Sequence, residues 1–141
     1  MKIEPVIQEE ASGCGIACVA MLAKKTYKEI KEIANANGIF AEDERLWSET
    51  DYVRTLLRHF NSKIWRGETG FSSWDELPNL ALLSIKYRIE NDRPFWHWVV
   101  FNRDNGQSMV LDPASYLAEN RRTDFEHMNP KWFIAIEKTF S

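Results

Sequence analysis

The sequence predicts an α+β domain in which helices from the first half pack on an antiparallel sheet from the second. Apolar residues recur at helical spacing up to about residue 60. After that, short runs rich in Val, Ile, Phe and Trp take over. Asn105-Gly106, between two such runs, is a two-residue hairpin signal and makes its flanking strands antiparallel.

Residues 14–24 read as a buried helix with Ile16, Val19, Ala20 and Ala23 as its apolar stripe. Thr26 with Glu29 forms a capping box for a second helix over 27–36, in which Ile30 and Ile33 face inward. Gly38 is placed to end it. Ser48 with Asp51 repeats the start signal for a helix over about 49–60, carrying Val53, Leu56, Leu57 and Phe60. The charge run Glu42 to Arg45 between them reads as a solvated loop. Lys63 to Arg66 is a short strand, and Ser73 to Leu77 one helical turn. Leu80 to Tyr87 and Phe95 to Asn102 are buried strands. Ser108 to Asp112 returns from the hairpin, and Trp132 to Glu137 is the last strand.

A chain of 141 residues is one domain, 1–141, and buries roughly two thirds of its unfolded surface without a disulfide or metal. Its net charge of -3 gives no electrostatic reason to expect nucleic acid or an anionic membrane as partner. Its apolar runs are too short to span a bilayer, and Met1 to Pro5 has no signal-peptide core. The expected location is therefore the cytoplasm, or a target cell reached by a signal-free route. The default oligomeric state is a monomer, and no cofactor or metal is expected. The two cysteines, Cys14 and Cys18, lie one helical turn apart. Their Cβ atoms would be about 5–6 Å apart on a helix, against the roughly 3.5–4.5 Å of a disulfide. Free thiols follow, which fits a reducing compartment.

Cys14 opens the first helix between two glycines, Gly13 and Gly15. A thiol there faces the positive end of the helix dipole and unpaired backbone N–H groups, which favour the nucleophilic thiolate. His97 lies in a strand and Asp112 follows the hairpin. With Asp104 paired to Gln107, counting outward sets Asp112 opposite Val99, on the face that also carries His97. The two residues are then diagonal neighbours, roughly 7–8 Å apart between backbones. A one-residue slip would separate them.

This arrangement supplies a nucleophile in Cys14, a general acid–base in His97 and an orienting carboxylate in Asp112. Gln8 can donate its side-chain amide to an oxyanion together with the Cys14 backbone N–H. Gly13 and Gly15 would let a substrate carbonyl approach closely. Each residue alone has a plainer reading. A cysteine in an Ala/Val-rich helix is commonly a small buried hydrophobe, and Cys18 is read that way. Asp-Pro after a strand is common turn chemistry. Order and shared strand face make the combined reading catalytic. Trp96 and Trp98 flank His97 but point to the opposite face as packing residues. His59 reads as a surface residue at a helix C-terminus, and His127 as a solvated loop residue.

Gln8, the run Cys14-Gly-Ile-Ala-Cys18, the segment His97-Trp-Val-Val and Leu-Asp112-Pro together resemble the bacteriocin-processing cysteine peptidases. The resemblance covers residues 5 to 137. It implies a papain-like fold, roles for Gln8, Cys14, His97 and Asp112, and cleavage after a double glycine. In that family the domain is usually fused to an ABC transporter, whereas no such domain is expected here. Gly13 also stands where an acidic residue commonly precedes the cysteine. The resemblance implies a Gly-Gly peptide or protein as partner. It is either a leader peptide handed to a separate transporter or a target protein cut by an antibacterial effector with a cognate immunity protein. Trp47, Trp65 and Tyr87 are candidate cleft walls. The same thiol chemistry leaves glutamine deamidation or acyl transfer as an alternative reaction, and a non-catalytic leader-binding module as an alternative function.

Overall fold

A computed structural model describes residues 3–60 and 67–137. The expected strand over Lys63 to Arg66, and Trp65 with it, lie outside the described residues. Among the described residues, three helices precede a six-stranded antiparallel sheet. Helix α1 spans Cys14–Ala23, α2 Tyr27–Ala36 and α3 Asp51–Arg58. Strands β1 to β6 span Thr69–Gly70, Leu80–Glu90, Arg93–Asp104, Gln107–Leu111, Arg121–Arg122 and Trp132–Ala135. Their order across the sheet is β1-β6-β2-β3-β4-β5. No helix of the described residues is long and apolar enough to cross a membrane.

All ten residues of α1 are buried, as expected for a helix that is apolar all round. It packs between α2, α3 and β3. Sheet alternation sorts the core into two layers. Leu82, Trp96, Trp98, Val100 and Ile134 face the helices. Leu83, Ile85, Val99, Phe101 and Val110 face the other way and are covered by loop residues Leu77 and Met128. Each such fully buried apolar side chain stabilises the fold by about 1.5–3 kcal/mol.

Local chemistry explains most element ends. The Thr26 side chain accepts from the Glu29 N–H, and the Glu29 carboxylate accepts from the Thr26 N–H. Asn105 and Gly106 both have positive φ, as the tight hairpin demands, and the ladder runs from Asp104↔Gln107 to Val100↔Leu111. Strands β2 and β3 are longer than the sequence implies. They close through Asn91-Asp92, both at positive φ, a conformation that Asn and Asp tolerate.

Helix α3 starts later than expected. Thr50 is its N-cap and makes no side-chain capping bond. Ser48 is not a cap: its hydroxyl donates to the Pro94 carbonyl (2.6 Å) and accepts from Arg93 Nε (2.9 Å). The expected solvated loop around Glu42 to Arg45 instead turns into a 3₁₀ helix over Glu44–Ser48, capped by the Asp43 carboxylate on the Arg45 N–H. Ser73 to Leu77 forms a turn, with Glu76 N–H donating to Ser73 O.

Thr26→Ala removes one half of the capping box and is expected to lower unfolding free energy by about 1 kcal/mol. Urea unfolding monitored by circular dichroism measures this. A variant as stable as the parent would mean that tertiary packing alone holds the start of α2.

Candidate active site

The site forms where β4 stops. β4 pairs with β3 only from Val100 to Asp104, although β3 begins at Arg93. The N-terminus of α1 and the 3₁₀ helix over Glu44–Ser48 pack against β3, whose first half is free of β4. The Trp98 N–H donates to Cys14 Sγ at 3.5 Å. The thiol therefore sits at the edge of β3, against the backbone of the residue that follows His97.

Cys14 is the first residue of α1, and its N-cap Gly13 makes no side-chain capping bond. The first N–H groups of a helix have no partner within it, so this end presents donors beside the sulfur. Cys14 is only 1% exposed. Cys18 is fully buried one turn on, and burial, then the charges of Cys14 and Asp112, push its thiol well above the ordinary range. Cys18 is core, as expected, and both cysteines are free.

Asp112 lies one residue beyond β4, and its Oδ1 accepts from His97 Nε2 at 2.6 Å. An acceptor-only carboxylate requires the proton on Nε2, which leaves Nδ1 for the Cys14 thiol. Asp112 is completely buried. A buried carboxylate without partners would be very costly, but this one has three donors. The Ala114 N–H adds a bond to Oδ1 (3.0 Å) and Arg122 Nη1 one to Oδ2 (2.8 Å). Burial raises the Asp112 pKa; the bonds from His97, Ala114 and Arg122 outweigh it and pull the group down to about 2. Burial lowers that of His97; the bond to Asp112 and then the Cys14 thiol outweigh it and push it up to about 10.

Gln8 joins the site from the N-terminal segment. Its backbone N–H donates to Pro113 O (2.9 Å), which ties it to the residue after Asp112. Its Nε2 donates to Glu10 O (2.9 Å) and Ala11 O (3.0 Å), carbonyls of the turn before Cys14. Both amide hydrogens are thus engaged, while the buried Oε1 has no partner among the described residues. The two glycines serve packing rather than open access. A Cβ at Gly13 would lie 2.1 Å from Tyr27 Oη, and one at Gly15 2.1 Å from Tyr52 Oη. The Tyr27 hydroxyl in turn donates to Glu10 Oε1 (2.6 Å), and Lys31 pairs with the same carboxylate.

Trp47 borders the site. Its indole N–H donates to Ala11 O (3.2 Å), and its ring meets Phe95 edge-on at 6.1 Å. Tyr87 packs instead on Trp132, in the helix-facing layer. Trp96 and Trp98 are core in that layer. His59 is exposed at the C-cap of α3, and His127 is exposed beside Glu126. Arg122 and Asn120 were not legible from sequence. The Asn120 side chain donates to Asp112 O (2.7 Å) and Ala114 O (2.9 Å), clamping the turn. A cavity of about 920 Å³ lies elsewhere, lined by Leu80, Arg103, Asp104, Phe133 and Ile136, none of them a residue of this site. Among the described residues, no three His, Cys, Asp or Glu side chains converge as a metal site.

The family model described as the Peptidase C39 family matches residues 2–141. The chain belongs to this family of bacteriocin-processing cysteine peptidases. The three helices and six-stranded sheet of the described residues are consistent with the papain-like C39 fold, and membership makes it a cysteine peptidase. Among curated proteins, none is significantly similar to the chain in sequence.

The two shifted groups give the C39 domain a defined pH response. His97 has a raised pKa, so its contribution to stability is complete below about pH 6.5 and is withdrawn as pH rises toward about 10. Asp112 has a lowered one, so its contribution is present above about pH 3.8 and withdrawn as pH falls toward about 2. Urea unfolding at pH 6 and pH 9.5 should show the parent losing more stability than His97→Gln. Equal losses would mean that the pair does not hold the proton on His97.

Proposed function

We propose that this chain is an endopeptidase that cuts peptide bonds after Gly-Gly, with Cys14 as nucleophile, His97 as general acid–base and Asp112 as its orienting carboxylate. The observation that carries this reading is His97 held by Asp112 at 2.6 Å, while the Cys14 sulfur accepts from the N–H of Trp98, the residue next to His97. That fixes the tautomer a thiol hydrolase uses.

In this mechanism the Cys14 sulfur, its proton passed to His97, attacks the scissile carbonyl carbon. The carbonyl π electrons move to oxygen, and the Cys14 N–H and Gln8 Nε2 stabilise the oxyanion. Collapse breaks the C–N bond, and His97 gives its proton to the leaving amine. Water then attacks the thioester as His97 accepts its proton. The second collapse releases the carboxylic acid and restores the sulfur.

Support for glycine beside the scissile bond comes from the depth of the nucleophile. A cysteine that is 1% exposed is best reached by backbone carrying no side chain. The Trp47–Phe95 pair, tied to Ala11 O in the turn before Cys14, adds a rigid aromatic wall.

Cys14→Ala and His97→Ala are each expected to lower kcat/KM on a Gly-Gly peptide by about a thousandfold or more, with circular dichroism unchanged. Replacing Gly-Gly by Ala-Ala in the peptide should abolish cleavage by the parent. Full activity of Cys14→Ala would sink the assignment. An intact but deamidated substrate, read by mass spectrometry, would move the same residues to glutamine chemistry.

A further inference from the structure

We propose that Arg122 is a positioning residue for this reaction, its guanidinium anchored on Asp124 so that it holds the Asp112 carboxylate ionised and turned toward His97. The inference rests on the catalytic reading of Cys14, His97 and Asp112, and extends it to a residue that touches no substrate.

The geometry is that of a fixed fork. Arg122 Nε donates to Asp124 Oδ1 (2.9 Å) and Nη2 to Asp124 Oδ2 (2.6 Å). This bidentate bond sets the orientation of the guanidinium. The remaining edge carries Nη1, which reaches Asp112 Oδ2 at 2.8 Å. Backbone pairing supplies the anchor: β5 holds Arg122 opposite Val110, two residues before Asp112. The Arg122 side chain is 11% exposed and that of Asp112 0%, so water does not substitute for the bond.

The division of labour on Asp112 shows why Arg122 matters. Oδ1 already serves two donors, His97 Nε2 and the Ala114 N–H. Arg122 is the donor that the structure gives to Oδ2. Without it, a buried oxygen would lack a partner, and the carboxyl would rotate or take up a proton. Either change loosens the bond that aims His97. The charged and titratable groups around Asp112 are His97 from β3, Arg122 from β5, Cys14 and Cys18 from α1, and Asp124 behind the fork. Arg122 and His97 both favour its ionised form, and Arg122 is the one that does not itself shuttle protons.

The test compares Arg122→Met, Arg122→Lys and Asp124→Asn with the parent, and His97→Ala serves as the alkylation control. The readouts are kcat and KM on a Gly-Gly peptide from pH 2.5 to 9, and the rate at which iodoacetamide alkylates Cys14. Arg122→Met should lose about tenfold or more in kcat with KM within about twofold. The acid limb of its profile should move up by about one pH unit. Arg122→Lys, which keeps the charge without the fork, should recover part of both losses. Asp124→Asn should show a smaller shift in the same direction. Superimposable pH profiles, or a raised KM at unchanged kcat, would overturn the proposal. If Arg122→Met does not fold, Arg122→Lys and Asp124→Asn decide by the same two readouts. Alkylation of the parent that does not depend on His97 would instead overturn the catalytic reading itself. An activated parent thiol with unshifted Arg122 variants would overturn only the role of Arg122.

Discussion

The site depends on one constraint: β4 is shorter than the strand it pairs with. Because the ladder ends at Val100↔Leu111, the first half of β3 has an edge free of β4. An unpaired strand edge must find other hydrogen-bond partners. Here the Trp98 N–H takes the Cys14 sulfur. The same stop leaves Asp112 one residue beyond the β3 ladder, with its N–H on Asn120 O and its side chain on His97. A longer β4 would satisfy the edge and remove the space for the thiol. The early end of the strand is thus both a packing fact and the condition for bringing a helix terminus to a strand histidine.

The electrostatics follow from burial. Asp112 has no solvent to stabilise its charge, so its ionisation rests on protein donors. Three of them converge, from β3, β5 and the turn at Ala114. Asn120 holds that turn by its carbonyls, and Gln8 N–H grips Pro113 O. The carboxylate is therefore fixed by segments far apart in the chain. Any one segment alone would leave it free to rotate.

Legibility in the sequence tracks how local each cause is. The capping box of α2 and the Asn105-Gly106 turn involve neighbours, and both elements lie where the residues put them. The His97–Asp112 pair was legible because a turn of known length fixes register over the few residues beyond it. Gly13 and Gly15 were misread because their neighbours, Tyr27 and Tyr52, come from other helices. Ser48 looked like a cap, yet its hydroxyl serves Pro94 and Arg93 across the fold. Arg122 was invisible for the same reason. Arg-Thr-Asp is ordinary surface composition until a two-residue strand places it beside Asp112.

Gln8 shows how a resting site can keep its donors occupied and still be ready for chemistry. Its two amide hydrogens bond neutral carbonyls at Glu10 and Ala11. Such bonds contribute about 0.5–1.5 kcal/mol net, whereas bonds to a charged partner contribute about 1.5–3. In the proposed mechanism a ground-state carbonyl offers Gln8 nothing better than what it has. An oxyanion does, and only as its charge develops. Exchange of one carbonyl for the oxyanion would then stabilise the transition state more than the bound substrate, which is the difference that accelerates a reaction. The carbonyl given up belongs to the turn that leads into Cys14, so the exchange would also be felt at the nucleophile's own backbone.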